Sequence, residues 1–257
     1  MMNRMLRIVL AVSALLVLLL AQAPATWLDR ALQRSSSGLV GLADARGTLW
    51  RGNGTVQAIL PSGRVETLEA VRWTVDPWAL FALHLHIAMT SERDGKPVLD
   101  ATLAPTGFTV SELRLDAPAA LLGVLSPTIR GAQITGRLSV RASGIRADRQ
   151  TTTGSANLTW SDAGSALTPI YPLGSYMVYL RGVGKGMEFT LSTLAGALTL
   201  SGSGQWQPGS PLAFNGTARP APDQARQLTP LLRILGREGR DGSYQIALSN
   251  DAALASH

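Results

Sequence analysis

The chain has 257 residues, no cysteine, and 23 Lys+Arg against 17 Asp+Glu, a net charge of +6. That length buries a full core in one domain or in two small ones, and the missing cysteine excludes disulfides, thiolate metal sites and cysteine nucleophiles. The arginines are scattered, with lysine only at Lys96 and Lys185, so the basic stripe with interleaved aromatics expected of a nucleic-acid surface is missing.

Residues 1–7 contain Arg4 and Arg7 and read as a cytoplasmic N-terminus. In residues 8–21 the only polar side chain is Ser13. Extended to Trp27, the run is twenty residues, about 30 Å as a helix, enough to cross a bilayer core. Trp27 then falls at the far interface, where its ring is favoured. Residues 8–27 are therefore long enough for a single transmembrane anchor, which puts residues 28–257 outside the cytoplasm. The helix is expected to continue briefly within 29–38. The competing reading is a cleaved signal peptide. Ala21-Gln22-Ala23 and Ala23-Pro24-Ala25 both fit a cleavage site, although Pro24 disfavours cleavage after Ala23.

In 45–54, Gly47, Gly52 and Gly54 surround Trp50 (Ala-Arg-Gly-Thr-Leu-Trp-Arg-Gly-Asn-Gly). Glycine in a strand marks a bend or a close backbone approach, and a tryptophan there is expected in the core. An alternating segment to Leu60 follows, then a turn at Pro61-Ser62-Gly63, then a second alternating segment from Leu68 through Trp73 to Leu80.

This order resembles the type II secretion system protein N family. Its members carry an N-terminal membrane segment, a Gly-Thr-Leu-Trp strand and a Trp-x-x-x-Pro-x-x-Leu strand end, here Trp73, Pro77 and Leu80. The resemblance continues through 154–160, Leu173-Gly174-Ser175-Tyr176 and Asp241-Gly242. It implies an uncleaved, bitopic inner-membrane protein that supports export of folded periplasmic proteins across the outer membrane. The implied partners are other secretion subunits of the inner-membrane platform and periplasm.

The exported part reads as all-β. Residues 134–142 alternate, with Ile134, Leu138, Val140 and Ala142 on one side and Thr135, Arg137, Ser139 and Arg141 on the other. Similar runs occupy 55–60, 65–75, 82–89, 154–160, 175–181, 187–192, 196–201, 211–218 and 243–249, separated by turns such as Asp94-Gly95 and Pro208-Gly209. The expected fold is a long bent antiparallel sheet, or a sandwich, with one or two short helices. One helix is expected over 118–125 with Asp116 as its cap; the other runs over 223–235, kinked or interrupted at Pro230 and ended by Gly236. The tail from Asp251 is expected to fray.

Signals of chemistry are few. His84 and His86 are expected to share one strand face, but zinc needs a third ligand and usually a fourth, and the remaining histidine is His257. Gly202-Ser203-Gly204 lacks the spacing of a nucleophile elbow. Gly182-Val183-Gly184-Lys185-Gly186 lacks the spacing of a phosphate loop and reads as a hairpin turn. No catalytic, metal or cofactor residue is expected, and the chain is not expected to be an enzyme. Two alternatives stand beside the secretion role. One is a cleaved periplasmic enzyme. The other is a lipid or apolar-ligand groove, expected to leave Leu138, Val140, Leu158 and Leu198 uncovered, unless the 223–235 helix plugs it.

Overall fold

The computed structural model describes residues 22–36, 38–60, 63–124, 130–239 and 241–248. Residues 8–21 of the expected anchor, and the tail from Asp251, lie outside the described residues. The chain divides into two compact units, one reaching to Ile59 and including Val65–Pro105, the other made of Leu60–Arg64 and Thr106–His257. The first unit holds α1 (Thr26–Ser35), β1 (Val40–Gly47), β2 (Arg51–Ile59), β3 (Val65–Val75), β4 (Leu85–Ser91) and β5 (Pro97–Ala104). The second holds β6 (Gly107–Pro118), β7 (Thr135–Asp148), β8 (Thr152–Gly164), β9 (Gly174–Val183), β10 (Gly186–Gly196), β11 (Leu198–Trp206), β12 (Ala213–Pro220), α2 (Ala225–Leu235), β13 (Arg237–Glu238) and β14 (Tyr244–Leu248).

The all-β expectation holds. Within each unit every strand pairs antiparallel with its sequence neighbour, except that β12 pairs with β14, which pairs with β13. This is a meander, not the sandwich that the sequence left open.

The first unit is built around the glycine–tryptophan stretch. Gly52 lies opposite Trp73 across β2 and β3, and a Cβ on Gly52 would collide with the Trp73 ring. The missing side chain lets the indole lie flat on the backbone of β2. Trp73 is 1% exposed, and its Nε1–H donates to Thr48 O at 3.2 Å. Trp50, Val71, Val75, Leu42 and Ala25 complete this core. Gly47, at a φ of 93°, makes the turn that few other residues would accept.

Gln22–Trp27 do not continue as one helix. Pro24 forms a β-bridge with Thr48, the Leu49 amide donates to Ala23 O at 2.8 Å, and the Ala25 amide donates to Gly47 O at 3.2 Å. Ala23 and Ala25 are both buried. The expected extension of the membrane helix is thus a separate helix, α1, in which Trp27 is 52% exposed. Asp29 of α1 accepts the Leu42 amide at 2.8 Å and holds the helix on β1.

Other elements differ from expectation. β1, β5 and β6 carry Gly, Pro or charged residues that mask their alternation. The strand expected at 82–89 starts only at Leu85, because Leu83 is exposed with a φ of 55°. Residues 119–124 form a tight helical turn, and Asp116 lies in β6 rather than capping it. Pro230 does not interrupt α2, which ends at Gly236 as expected. Gly236 is extended there, and its backbone lies against Gln245 O.

Truncating Trp73 removes a buried ring and its hydrogen bond together. Trp73→Ala should destabilise the first unit by about 3–5 kcal/mol, and Gly52→Val should also destabilise it by collision with that ring. Urea titration monitored by circular dichroism checks both, and a wild-type midpoint for either contradicts this packing.

Candidate functional site

In an antiparallel pair, directly opposed residues project from the same face. The registers of the second unit therefore align side chains into rows across the strands. The first row is Ala117, Leu138, Trp160, Tyr176 and Thr193. The second is Leu115, Val140, Leu158, Val178, Leu191 and Gly202. The third is Leu113, Ala142, Ala156, Leu180, Phe189, Gly204 and Phe214. The second and third rows contain no polar side chain. The opposite face presents Arg141, Asn157, Tyr179, Thr190, Ser203 and Asn215 in register.

The first row is anchored by its polar atoms. Trp160 Nε1–H donates to Thr135 O at 2.9 Å, and its ring packs on Tyr176 at 5.8 Å. The buried Tyr176 hydroxyl donates to Leu198 O at 3.0 Å, and burial pushes its pKa upward. Beside it, Leu228, Leu231 and Leu232 of α2 bury Leu173, Leu198, Ala218 and Tyr244. The expected groove residues thus separate. Leu198 is covered by the helix and Leu138 is buried, whereas Val140 and Leu158 are only half-buried. The main contacts of α2 are with β12, β13 and β14.

In the third row, Phe189 and Phe214 lie nearly parallel, with centroids 5.8 Å apart and planes 12° apart. A Cβ on Gly202 or Gly216 would meet the Phe214 ring, and one on Gly204 would meet Phe189. The glycines let both rings lie down on the sheet, which smooths the face. A small apolar cavity of about 80 Å³ opens nearby, lined by residues including Ile145, Ala156, Leu180 and Met187. A larger cavity of about 670 Å³ is lined in part by Ala120, Ile134, Thr168 and Tyr171, and by Arg130, whose Nε donates to Gly123 O at 3.2 Å.

On the polar face, Arg141 clasps Asp116 with both terminal nitrogens, Nη2 at 3.1 Å from Oδ2 and Nη1 at 3.3 Å from Oδ1. Partial burial raises the Asp116 pKa, but the Ser139 hydrogen bond and the Arg141 guanidinium outweigh it and leave the carboxyl below its usual value. His84 and His86 are not brought onto one strand. His84 precedes β4 and its amide donates to Ala79 O, while His86 Nε2 sits 3.4 Å from Asp100 Oδ1. Among the described residues no three His, Asp or Glu groups are placed to hold a metal ion. His257 lies outside them.

A model of the family described as type II secretion system (T2SS), protein N, matches residues 38–247, across both units. The chain belongs to the type II secretion system protein N family. No curated protein and no solved structure matches it. Membership makes the chain a component of type II secretion, a process of the bacterial envelope, and implies contact with other subunits of that machine. The family is one of secretion components and not a known enzyme family. The residues that carried the resemblance serve packing. Trp50, Trp73, Leu173 and Tyr176 are buried, and Asp241 holds a turn through Ser243 and pairs with Arg219 at 2.8 Å.

Because the folded Asp116 carboxyl has a depressed pKa, its contribution to stability is complete above its unfolded pKa of about 3.9 and is lost as pH falls through the lower folded value. Below about pH 4 the wild type should therefore lose stability faster than Asp116→Asn. Thermal melts across that range check this, and parallel profiles contradict it.

Proposed function

We propose that the chain is an accessory subunit of the type II secretion system, anchored in the inner membrane, that supports export of folded periplasmic proteins by docking on other subunits. The family match carries this reading, because it spans both units and not one motif. In this reading residues 1–7 are cytoplasmic, the apolar run within 8–27 is the single span, and the β units are periplasmic. The role is one of binding, not catalysis.

Among the described residues no helix is long and apolar enough to cross a membrane. The contacts of Ala23–Ala25 favour retention over cleavage. Cutting after Ala25 would delete the Pro24–Thr48 bridge and the carbonyl that accepts the Leu49 amide. Cutting after Ala23 would leave a charged terminus inside that bridge.

Two measurements test the reading. Alkaline carbonate washing of membranes should leave full-length protein in the pellet, and a soluble form starting near Thr26 contradicts an anchor. Deleting the gene should retain secreted enzymes in the periplasm, or slow their release, while the outer-membrane permeability barrier stays near normal. Envelope leakage without a secretion defect overturns the secretion role.

A further inference from the structure

Among its described residues the second unit carries an apolar surface that its own helices only partly cover. The second row presents Leu115, Val140, Leu158, Val178 and Leu191, and neither it nor the third row contains a polar side chain. Among the described residues of this unit α2 contacts mainly β12, β13 and β14, and the helical turn 119–124 contacts β7. From the turn end of β8 at Thr152 down to Leu158 the face runs six residues, about 20 Å at ~3.3 Å each, against about 15 Å for one leaflet of a bilayer core. The track is long enough for one acyl chain.

The ends of the strands add charge. Arg149 and Lys185 lie in the β7–β8 and β9–β10 turns, and both are exposed. The turns are bonded to each other, the Thr152 amide donating to Gly184 O at 2.6 Å. Neither cation has a carboxylate within 4.0 Å among the described residues. Asp148, the nearby carboxylate, is already occupied by the amides of Gln150 and Thr151, which hold its pKa down. The small apolar cavity lies at this same end, among Ile145, Thr152, Leu180, Gly182 and Met187. Trp206 is opposite Met187 and 40% exposed.

We propose that this face binds an acyl chain of an anionic phospholipid, with the headgroup phosphate at Arg149 and Lys185. An extended peptide laid across it would leave backbone amides without partners. A helix needs ridges and grooves, whereas Phe189 and Phe214 lie flat over glycines. A fatty chain needs only dry apolar surface, and the two cations complement a phosphate.

The test uses the full chain reconstituted into vesicles containing phosphatidylglycerol, or in parallel phosphatidylcholine, with a photoreactive group in the acyl chain. Adduct positions are read by mass spectrometry. Adducts on Val140, Leu158, Val178 and Leu191, stronger with phosphatidylglycerol, are expected. Arg149→Gln with Lys185→Gln should weaken phosphatidylglycerol labelling roughly thirtyfold, since a basic residue near anionic lipid is worth about fivefold in affinity. Phosphatidylcholine labelling should hold. Leu158→Asp should abolish adducts with both lipids. If that variant does not fold, Val178→Thr, which keeps the shape and adds a hydroxyl, must still lower labelling at an unchanged melting temperature. Adducts confined to residues 1–27, equal labelling by both lipids, or labelling unmoved by the face variants overturns the proposal. So does capture of a second polypeptide, in native membranes, by a photoreactive residue at position 158. None of these readouts depends on secretion, so they fail or succeed apart from the proposed role.

Discussion

Strict two-residue alternation, kept in register from strand to strand, is the constraint on which the second unit depends. One slipped residue would turn a whole strand's apolar set toward water. The register is held at points where side chains bond backbone: Trp160 to Thr135 O, Tyr176 to Leu198 O, and Thr193 Oγ1 with both the amide and the carbonyl of Leu200. Each bond ties one strand to another near it in the sheet. Because the register holds, two rows without a polar side chain form on one face and a polar lattice on the other. A single sheet has only one other layer available to bury such a face, and α2 buries only part of it.

The first unit solves the same problem differently. It concentrates burial in two tryptophans and removes side chains where the rings must lie. Gly52 makes room for Trp73, and the turn from Gly47 brings Thr48 O to the indole N–H. That turn also receives Pro24 and Ala25 from the segment before α1. The glycine–tryptophan stretch is therefore both the core of the unit and the seat for the chain arriving from its N-terminal side. This gives a physical reason for the spacing of its glycines.

Legibility in the sequence followed the range of the interactions. Strands β7, β8, β9 and β11 were visible because their alternation is local and uninterrupted. The Trp50 and Trp73 core was visible because glycines beside a large aromatic have few other uses. β1, β5 and β6 were hidden, since Gly41, Asp44, Arg46, Pro97 and Glu112 break the apolar count. Asp116 before a proline reads as a helix cap, and only its pairing with Arg141, 25 residues away, reveals a strand residue. His84 and His86 have strand spacing, but the left-handed Leu83 places the first outside the strand. The stacked Phe189 and Phe214 left no signal, because they meet each other and Gly202 and Gly204 across strands. The faces of the candidate site could be read; which part α2 covers could not, because Leu228, Leu231 and Leu232 do not say which strands they meet.

The structure also narrows how the chain can meet a partner. An open strand edge is the usual place for a further strand to add. On β1 the amides of Val40 and Leu42 are already taken by Ser36 Oγ at 3.0 Å and Asp29 Oδ1 at 2.8 Å. At the end of the second unit's strand order, β13 is two residues long. Neither offers the run of free amides that strand addition needs. Among the described residues the faces and strand ends are the surfaces left open to a partner. The polar lattice, with its Arg141–Asp116 clasp, suits specific hydrogen-bonded contact with protein. The apolar rows suit a ligand that asks for no hydrogen bonds. The alternation that builds the sheet thus puts two chemically different surfaces on its two sides.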